Sequence, residues 1–228
     1  MVTPPGTPDV VFATLRADST VADVGQAFLR ALPHIDGAAI CVMTDIDARR
    51  SVYTSDNVCA AIEDAQFLHA EGPCFQAFTT DTPVLIDNMH APQHLARWPG
   101  YTPAAIAAGA VAVAALPIAV GGQPFGVLDL YSRTEGEISE ADLHTAARFA
   151  DAAGIALVHA GRLRAACTDV HEPDDRDVVH QAVGMIMIQL DVTSNDALAR
   201  LRAHTYATEG NLHDTATDVI HRRLSFND

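Results

Sequence analysis

The stretch "AVAVAALPIAVGGQPFGVLDLYS", residues 110–132, decides the fold of the first part of this chain. It holds two apolar runs, 110–120 and 125–132, separated by "GGQP", and this composition is typical of a hairpin turn between strands. Both runs are almost uniformly apolar, as expected of strands that are buried on both faces at the centre of a sheet. We therefore predict a central β-hairpin.

Further elements are predicted on both sides of the hairpin. Residues 38–46 and 49–55 are predicted strands joined by a tight turn at Asp47 and Ala48, and residues 83–87 form a third. Predicted helices begin at a capping box of Thr20 with Asp23, cover 56–68, 73–80 and 103–108, and begin again at Ser139 with Asp142. The pattern indicates an α+β domain, with a central antiparallel sheet flanked by helices.

The residues after about 165 predict a separate all-α unit. "TDVHEPDDR", residues 168–176, is polar, acidic and interrupted by Pro173, which is typical of a linker. Three short helices follow, over about 174–190, 194–207 and 211–224. Thr193 with Asp196 can cap the second helix, and Asn211 with Asp214 the third.

Composition excludes several classes of function. All fourteen basic residues are arginine, so Schiff-base chemistry, a pyridoxal enzyme and a Walker-type phosphate loop are excluded. The net charge of -15 repels polyanions on average, so binding to a nucleic acid needs a local basic patch.

The chain shows no export or membrane signal. "MVTPPGTPDV" has no basic region followed by an apolar run, so we predict no signal peptide. The longest apolar stretch, 104–120, is interrupted by Gly109 and Pro117 and is short for a span, which needs about 20 residues. Four cysteines without paired spacing (41, 59, 74 and 167) fit a reducing cytoplasm.

Several stretches together resemble a known pair of domains. "EGPCFQAF" (71–78), "RWPGY" (97–101), residues 115–132 and the helix after them resemble a GAF sensory domain of the actinobacterial type. The three-helix tail resembles an ANTAR domain, an RNA-binding module of transcription antiterminators. The matching residues of the tail are Gln181, Ala182, Gly184, Met187, Ala197, Leu201, Arg202, Leu212, Asp214, Ala216 and Val219.

The resemblance implies a cytoplasmic, dimeric regulator of transcription antitermination. A GAF sensor (17–165), preceded by a flexible tail (1–16), would receive a signal. After a linker (166–173), a three-helix ANTAR domain (174–228) would bind paired hairpins in a nascent RNA. The residues expected to contact RNA are Gln181, Ala182, Gly184, Met187, Arg200 and Arg202.

Gly184 interrupts the helix "HQAVGMIMIQL", residues 180–190, where glycine costs about 1 kcal/mol relative to alanine. A helical wheel places it on an outward face with His180, Gln181 and Ile188, opposite the apolar stripe of Val178, Ala182, Met185 and Ile186. Glycine there permits close approach of a nucleotide or of another helix. Both interpretations stay open.

The charge of the tail complicates RNA binding. From His171 to Asp228, five arginines stand against ten acidic residues, a difference of -5. Related tails usually carry basic residues where this chain has Val183, Ala203, Ala207, Gly210, Asn211 and His213. Arg200 with Arg202, and Arg222 with Arg223, could reach phosphates or could be ordinary solvated charges.

The sensor half offers candidate sites of three kinds. Cys74 is at a predicted helix start, which lowers a thiol pKa, so it is a reactive thiol or a buried small side chain. Cys74, Phe75, Trp98 and Tyr101 are expected over the sheet, lining a small-molecule pocket or closing the core. Asp87, His90 and His94 could hold a metal but have no further ligand nearby, so we predict no metal and no cofactor; an unknown small-molecule ligand stays open.

One long helix is a candidate dimer contact. Small and apolar residues follow helical spacing at Leu143, Ala147, Ala150, Ala153, Gly154, Leu157 and Ala160. Small residues allow helices to approach closely, although the same face could instead cover the sheet.

Three functions follow from these observations. The main prediction is a non-enzymatic RNA-binding antiterminator with no catalytic residues. The alternative is a dimeric signalling and protein-interaction module that kept the fold and has weak or lost RNA binding. The third is an enzyme, or a metal or redox sensor, that uses Cys74 or the pair His90 and His94.

Overall fold

A computed structural model describes residues 7–43, 49–166, 175–208 and 210–226, with the side chains of 162–166 and 175–177 excepted. The chain divides into two compact units, residues 1–168 and 169–228. The predicted turn at Asp47 and Ala48, and the predicted linker apart from Ala166, lie outside the described residues.

The first unit is built on one five-stranded antiparallel sheet. Its strands have the order β2-β1-β5-β4-β3, in which every neighbouring pair is antiparallel. The strands are β1 (Gly37–Met43), β2 (Arg49–Thr54), β3 (Val84–Ile86), β4 (Ala112–Val120) and β5 (Gln123–Ser132). The predicted hairpin is therefore β4 and β5, and β5 is the central strand, which confirms the α+β prediction.

The hairpin turn and a close contact of β5 both require glycine. Gly121 and Gly122 have φ angles of 62° and 77°, in the left-handed region that glycine adopts without steric cost. Gly126 faces the backbone of β1 so closely that a Cβ atom would lie 2.1 Å from the Cys41 carbonyl oxygen. The strands β1 and β5 can therefore pair at this position only with glycine in β5.

One face of the sheet is covered by α1 (Pro8–Phe12), α2 (Val21–Ala31) and α7 (Glu140–Ala166). Phe28 and Phe149 meet edge to face at 5.5 Å between ring centroids, and they pack on the apolar side chains of Ile40, Leu116 and Leu128. The described buried residues of this core cluster are all apolar.

The opposite face is covered by α3 (Asn57–His69), α4 (Pro73–Thr80) and α6 (Tyr101–Ala108). Alternate residues of the same strands point here, including Ala39, Cys41 and Met43 of β1 and Val127 and Tyr131 of β5. This second core cluster contains cysteine and methionine as well as hydrocarbon side chains.

Local capping signals predicted the helix starts correctly. Thr20 and Asp23 form a reciprocal capping box at α2. The Ser139 hydroxyl accepts a hydrogen bond from the Asp142 backbone N–H at 3.1 Å, next to the start of α7. These caps satisfy N–H groups that have no partner inside the helix, so short sequence patterns are enough to locate them.

Two expectations for this unit need correction, and a choice between two interpretations of α7 is decided. Residues 8–12 belong to helix α1 rather than to a loose tail, because Phe12 packs edge to face on Phe149 at 5.2 Å. Between the predicted strand 83–87 and the predicted helix 103–108, where no element was predicted, the chain forms a short helix, α5 (Pro92–Arg97). The small-residue face of α7 covers the sheet, since Ala150, Ala153 and Leu157 are buried in its core and a Cβ on Gly154 would lie 3.3 Å from the Ala119 carbonyl oxygen.

The second unit contains three helices, as predicted. They are α8 (Asp175–Leu190), α9 (Ser194–Ala207) and α10 (Leu212–Ile220), and the last ends earlier than expected. Thr193 accepts a hydrogen bond from the Asp196 N–H, and Asn211 accepts from His213 and Asp214. The fully buried positions are Ala182, Ile186, Ala197, Leu201, Thr205, Ala216 and Val219.

Within the described parts of the chain, we find no helix that combines the length and the apolar character needed to cross a bilayer.

The close approach at Gly126 gives the first prediction. Replacing Gly126 with alanine forces β1 and β5 apart, and we expect the first unit to lose about 1–3 kcal/mol of unfolding free energy or more. Trp98, the only tryptophan, is buried in this unit, so its fluorescence in urea reports the unfolding. Gly136→Ala is the matched control, because a Cβ at Gly136 meets open space. Equal urea midpoints for Gly126→Ala and Gly136→Ala would contradict the close packing of β5 on β1 at Gly126.

Candidate functional site

The outward face of α8 carries two of the predicted RNA-contact residues. Gln181 is exposed, and a Cβ atom added to Gly184 would meet no atom within 4 Å apart from its chain neighbours and the nearby backbone of its own helix, which confirms that this glycine faces outward. Ile188, one turn further along, is 86% exposed. Met187 is half-buried, and Ala182 is fully buried between the helices of the unit, so Ala182 has no surface to offer a ligand.

The arginines of the second unit differ in how available they are. Arg200 is exposed on α9, whereas Arg202 is half-buried. Arg222 is exposed, while Arg223 makes an ion pair with Asp218 at 2.6 Å. Arg200, Arg222 and Arg223 are therefore all exposed, and Arg223 is held by an acidic partner.

The four predicted pocket residues come together in the second core cluster. Cys74, Phe75, Trp98 and Tyr101 all belong to the second core cluster and are 0–7% exposed. Trp98 meets Tyr101 edge to face at 6.2 Å. A pronounced surface groove among the described residues lies elsewhere, beside Ile86, Tyr131 and Ile138. The aromatic side chains therefore close the core.

The same core contains a buried ion pair that the sequence did not predict. Arg49, the first residue of β2, donates from Nη2 to Oε2 of Glu63 on α3 at 2.5 Å, and both side chains are at most 1% exposed. Arg49 Nη1 also donates to the Glu63 backbone carbonyl at 2.9 Å. The guanidinium lies 5.7 Å from the centre of the Phe75 ring. Two contacts to one residue and an aromatic face hold the guanidinium in a fixed orientation.

Hydrogen bonds extend from this pair to the start of α4. Ser51 donates to Glu63 Oε2 at 2.7 Å, and Gln66 donates to Glu63 Oε1 at 3.2 Å. The side-chain oxygen of Gln66, Oε1, accepts a hydrogen bond from the Cys74 backbone N–H at 2.8 Å. Gln66 thus satisfies a donor in the first turn of α4, whose N-cap, Gly72, has no side chain to do so.

Cys74 faces a second cysteine and a carboxylate. Its Sγ atom lies 3.4 Å from Cys41 Sγ and 3.8 Å from Met43 Sδ. Cys41 Sγ is 3.9 Å from Asp129 Oδ2, which is also 3.9 Å from Arg49 Nη2. Cys41 pairs with Val127 in the ladder, so Asp129, two residues further along β5, shares its face of the sheet.

Burial dominates the ionisation of these groups. It raises the pKa of the Cys74 thiol and of the Asp129 carboxyl well above their ordinary values. Burial opposes ionisation of Cys41 as well, but the hydrogen bond with Cys74 and the nearby Arg49 lower its pKa. Of the two interpretations of Cys74, the structure therefore favours the buried side chain, because desolvation raises the pKa of its thiol.

Sequence reasoning missed Cys41, Arg49, Glu63 and Asp129. A signal was present for Asp129, which is the only charged residue in the otherwise apolar stretch 110–132. A carboxylate in a strand buried on both faces needs a buried partner, so this position marks a polar site. Arg49 and Glu63 carried no comparable signal, since each resembles an ordinary surface charge.

The histidine group proposed from the sequence is not formed. Among the described residues, the side chains close enough to share a metal ion are Cys41, Cys74 and Asp129, and they do not include Asp87, His90 or His94. His94 instead stacks on Trp98 at 6.2 Å.

Comparison with known families finds two matches along the chain. The family model of the GAF domain matches residues 18–158, and the model of the ANTAR domain matches residues 171–220. No curated protein matches the chain.

Solved structures resemble the first unit. The GAF domain from an Acinetobacter phosphoenolpyruvate-protein phosphotransferase has a TM-score of 0.51 at 11% identity, covering 72% of this chain and 95% of that one. The corresponding domain from Coxiella burnetii scores 0.50 at 18% identity, with coverages of 70% and 92%. A domain described as part of a sensor histidine kinase from Sinorhizobium meliloti scores 0.50 at 16% identity, with coverages of 63% and 90%. At these identities the likeness concerns the fold alone.

The buried ion pair gives the second prediction. Arg49→Met leaves Glu63 buried without its cation, and we expect a loss of about 3–5 kcal/mol in the unfolding free energy. The double variant R49M/E63Q removes both charges and should lose less than the sum of the single variants. Urea unfolding followed by Trp98 fluorescence measures both effects.

Arg148→Met is the matched control for this cycle. Arg148 pairs with Asp9, which is 76% exposed, so its loss should cost about 1 kcal/mol or less. A cost for Arg49→Met as small as that of Arg148→Met would show that the buried pair does not hold the unit together.

Proposed function

This chain belongs to the GAF domain family and carries an ANTAR domain behind it, and from that premise we propose that it is a signal-responsive regulator of transcription antitermination. The ANTAR domain binds paired hairpins in a nascent RNA, and the GAF domain controls that binding. Both are regulatory domains, and we propose that the protein acts in the cytoplasm as a homodimer without catalysing a reaction.

The observation that carries this proposal is the pairing of the two domains in one chain. ANTAR domains bind RNA, and the second unit has the three-helix architecture expected of one. GAF domains occur as sensor modules, and the first unit has the expected sheet with helices on both faces. We propose the domain limits 17–165 and 174–228, with residues 166–173 as the linker.

The surface of the second unit supports a particular RNA-contact face. Gln181 and Gly184 form an open patch on α8, since Gly184 has no side chain and nothing packs over it. A nucleotide can approach the α8 backbone there more closely than at any residue with a Cβ atom. Arg200 on α9 is exposed and supplies a cation for phosphate contact. We propose Gln181, Gly184 and Arg200 as contacts, with Met187 and Arg202 supporting them from half-buried positions.

The signal received by the GAF domain is proposed to be a small molecule. The core beneath α4 and α6 is closed around Phe75, Trp98 and Tyr101. Entry of a ligand between these side chains and the sheet would have to move α4 or α6. Such a movement would give the GAF domain two conformations, and a ligand that binds one of them more tightly would shift the equilibrium towards it.

The acidic character of the tail favours a second candidate function. Five arginines against ten acidic residues from His171 to Asp228 give a difference of -5, and Arg223 is already bound to Asp218. Phosphate contacts normally supply most of the affinity for RNA. The alternative is therefore a dimeric signalling module that acts through protein partners and binds RNA weakly or not at all.

A salt titration with one charge variant separates the two functions. We expect a labelled two-hairpin RNA, selected from a pool with randomised loops, to bind the full chain with an affinity that falls steeply with salt. Arg200→Ala should weaken binding and reduce the slope of log K against log salt by about 1, because one phosphate contact is lost. Fluorescence anisotropy gives both quantities.

Arg16→Ala is the control for this charge change. Arg16 is exposed in the first unit, so its removal alters the net charge equally and leaves the proposed face intact. If no RNA from the pool binds with a salt-dependent affinity, the proposal of an RNA-binding antiterminator is rejected in favour of the protein-interaction module. Equal losses of RNA affinity in Arg16→Ala and Arg200→Ala would mean that the net charge of the protein, and not a contact at Arg200, determines the binding.

Gly184→Ala tests close approach by giving opposite effects on stability and binding. Alanine fits the open space, so the helix should gain about 0.5–1 kcal/mol of stability. The affinity for RNA should nevertheless fall, because the alanine methyl group would prevent the nucleotide from approaching the α8 backbone closely. Thermal unfolding by circular dichroism and anisotropy measure the two quantities.

Gly161→Ala is the matched control, since Gly161 lies in helix α7 of the other unit and a Cβ there also meets open space. It should leave RNA binding unchanged. Unaltered RNA affinity in Gly184→Ala would rule out this glycine as a contact and leave its outward position to another function.

A further inference from the structure

We propose that Cys41, Cys74 and Asp129 form a binding site for a thiophilic divalent cation of the Zn²⁺ type, inside the core of the GAF domain, with Met43 beside it as a fourth, weaker donor. One ligand atom from each of the first three residues lies within 4.8 Å of the others. This site is independent of RNA binding and would exist whether or not the ANTAR domain contacts RNA.

The distances between the donor atoms suit a tetrahedral ion. Zn–S bonds of about 2.3 Å and Zn–O bonds of about 2.0–2.2 Å place two sulfurs about 3.8 Å apart and a sulfur and an oxygen about 3.5 Å apart. The observed separations are 3.4 Å for Cys41 Sγ to Cys74 Sγ and 3.9 Å for Cys41 Sγ to Asp129 Oδ2. Met43 Sδ lies 3.8 Å from Cys74 Sγ. The two measured separations within the Cys41, Cys74 and Asp129 set are each within about 0.4 Å of the tetrahedral values, and the Cys74 and Asp129 donor atoms lie within 4.8 Å of each other.

The three ligands stand on a rigid frame. Cys41 and Asp129 project from paired strands at the centre of the sheet, on the same face. Cys74 comes from the first turn of α4, whose backbone N–H is held by Gln66. The fold therefore presents the donors together before any ion binds, which lowers the conformational cost of binding.

The surroundings of Asp129 favour a cation over an ordinary core. Its carboxylate is 8% exposed, and its contacts with Cys41 Sγ and Arg49 Nη2 are both long, at 3.9 Å. Arg49 cannot serve Asp129 alone, because its closer partner is Glu63 at 2.5 Å. Without an ion, burial favours the protonated forms of Asp129 and Cys74. A bound cation would displace these protons to solvent and offset the cost of the buried negative charges.

Softness of the donors selects the class of ion. Two thiols with a thioether nearby favour Zn²⁺ or a similar thiophilic metal over Mg²⁺ or Ca²⁺, which prefer oxygen. Two thiolates and one carboxylate carry three negative charges, of which Zn²⁺ cancels two. The Arg49 guanidinium lies 3.9 Å from Asp129, but it is shared with Glu63, so the loaded site would keep one net negative charge.

The test uses the untagged full chain, refolded with a thiol-free reductant and either Zn²⁺ or Co²⁺, because the buried site must be filled as the domain closes. A Cys167→Ser background removes the cysteine outside the described residues. We expect about one metal ion per chain by mass spectrometry of the elements. The Co²⁺ form should show the thiolate-to-cobalt charge-transfer band and the visible bands of a tetrahedral site.

Variants then identify the ligands. Cys41→Ser, Cys74→Ser and Asp129→Asn should each lose the charge-transfer band or weaken the metal at least roughly tenfold in competition with a chromophoric chelator. Cys59→Ser is the matched control, since Cys59 is a buried cysteine of the same core cluster outside the proposed site. Circular dichroism and Trp98 fluorescence establish that each variant is folded.

Zn²⁺ should also raise the melting temperature of the parent protein and of Cys59→Ser, but not that of Cys74→Ser. The proposal is overturned if the refolded parent holds no metal while its thiols titrate as free. It is equally overturned if Cys59→Ser loses as much metal as Cys41→Ser. A disulfide between Cys41 and Cys74, seen as two missing thiols and the loss of two hydrogens by mass, would replace the metal site with a redox pair.

Discussion

The buried ion pair of Arg49 and Glu63 is the constraint on which one whole layer of the GAF domain depends. Two charges can remain inside a protein only when each is matched and hydrogen-bonded, and here Ser51 and Gln66 complete the set around Glu63. The pair joins the edge strand β2 to α3, and Gln66 extends the connection to the first turn of α4. The position of Cys74 against the sheet therefore follows from a charge interaction that begins at the opposite edge of the layer.

The two faces of the sheet consequently differ in character. The face under α2 and α7 is packed with hydrocarbon side chains, and this gives stability without chemical specificity. The face under α3, α4 and α6 combines apolar packing with two thiols, a carboxylate and an ion pair. Polar groups in a core are costly unless their partners are well placed, so packing on this face depends more on exact geometry than packing on the hydrocarbon face. The central strand β5 contributes to both faces.

In the ANTAR unit, the proposed RNA contact depends on a residue that has no side chain, Gly184. Gly184 sits on an outward helix face with open space around it, at a cost to helix stability that alanine would avoid. Few of the arginines there are free to meet phosphates, since Arg223 is bound to Asp218 and the unit is acidic overall. Shape and backbone approach would have to contribute more to RNA recognition in this protein than electrostatic attraction.

Local sequence signals determined most of the architecture. Apolar runs broken by "GGQP" located the central hairpin, and capping pairs such as Thr20 with Asp23 located the helix starts, because both depend on residues close together in the chain. The short helices α1 and α5 were missed, since five or six residues carry too little periodic signal. Only the tertiary structure brought Cys41 to Cys74 and Asp129, across 33 and 88 positions, and decided that the small-residue face of α7 covers the sheet. Such contacts follow from how whole elements pack, and no local pattern records them.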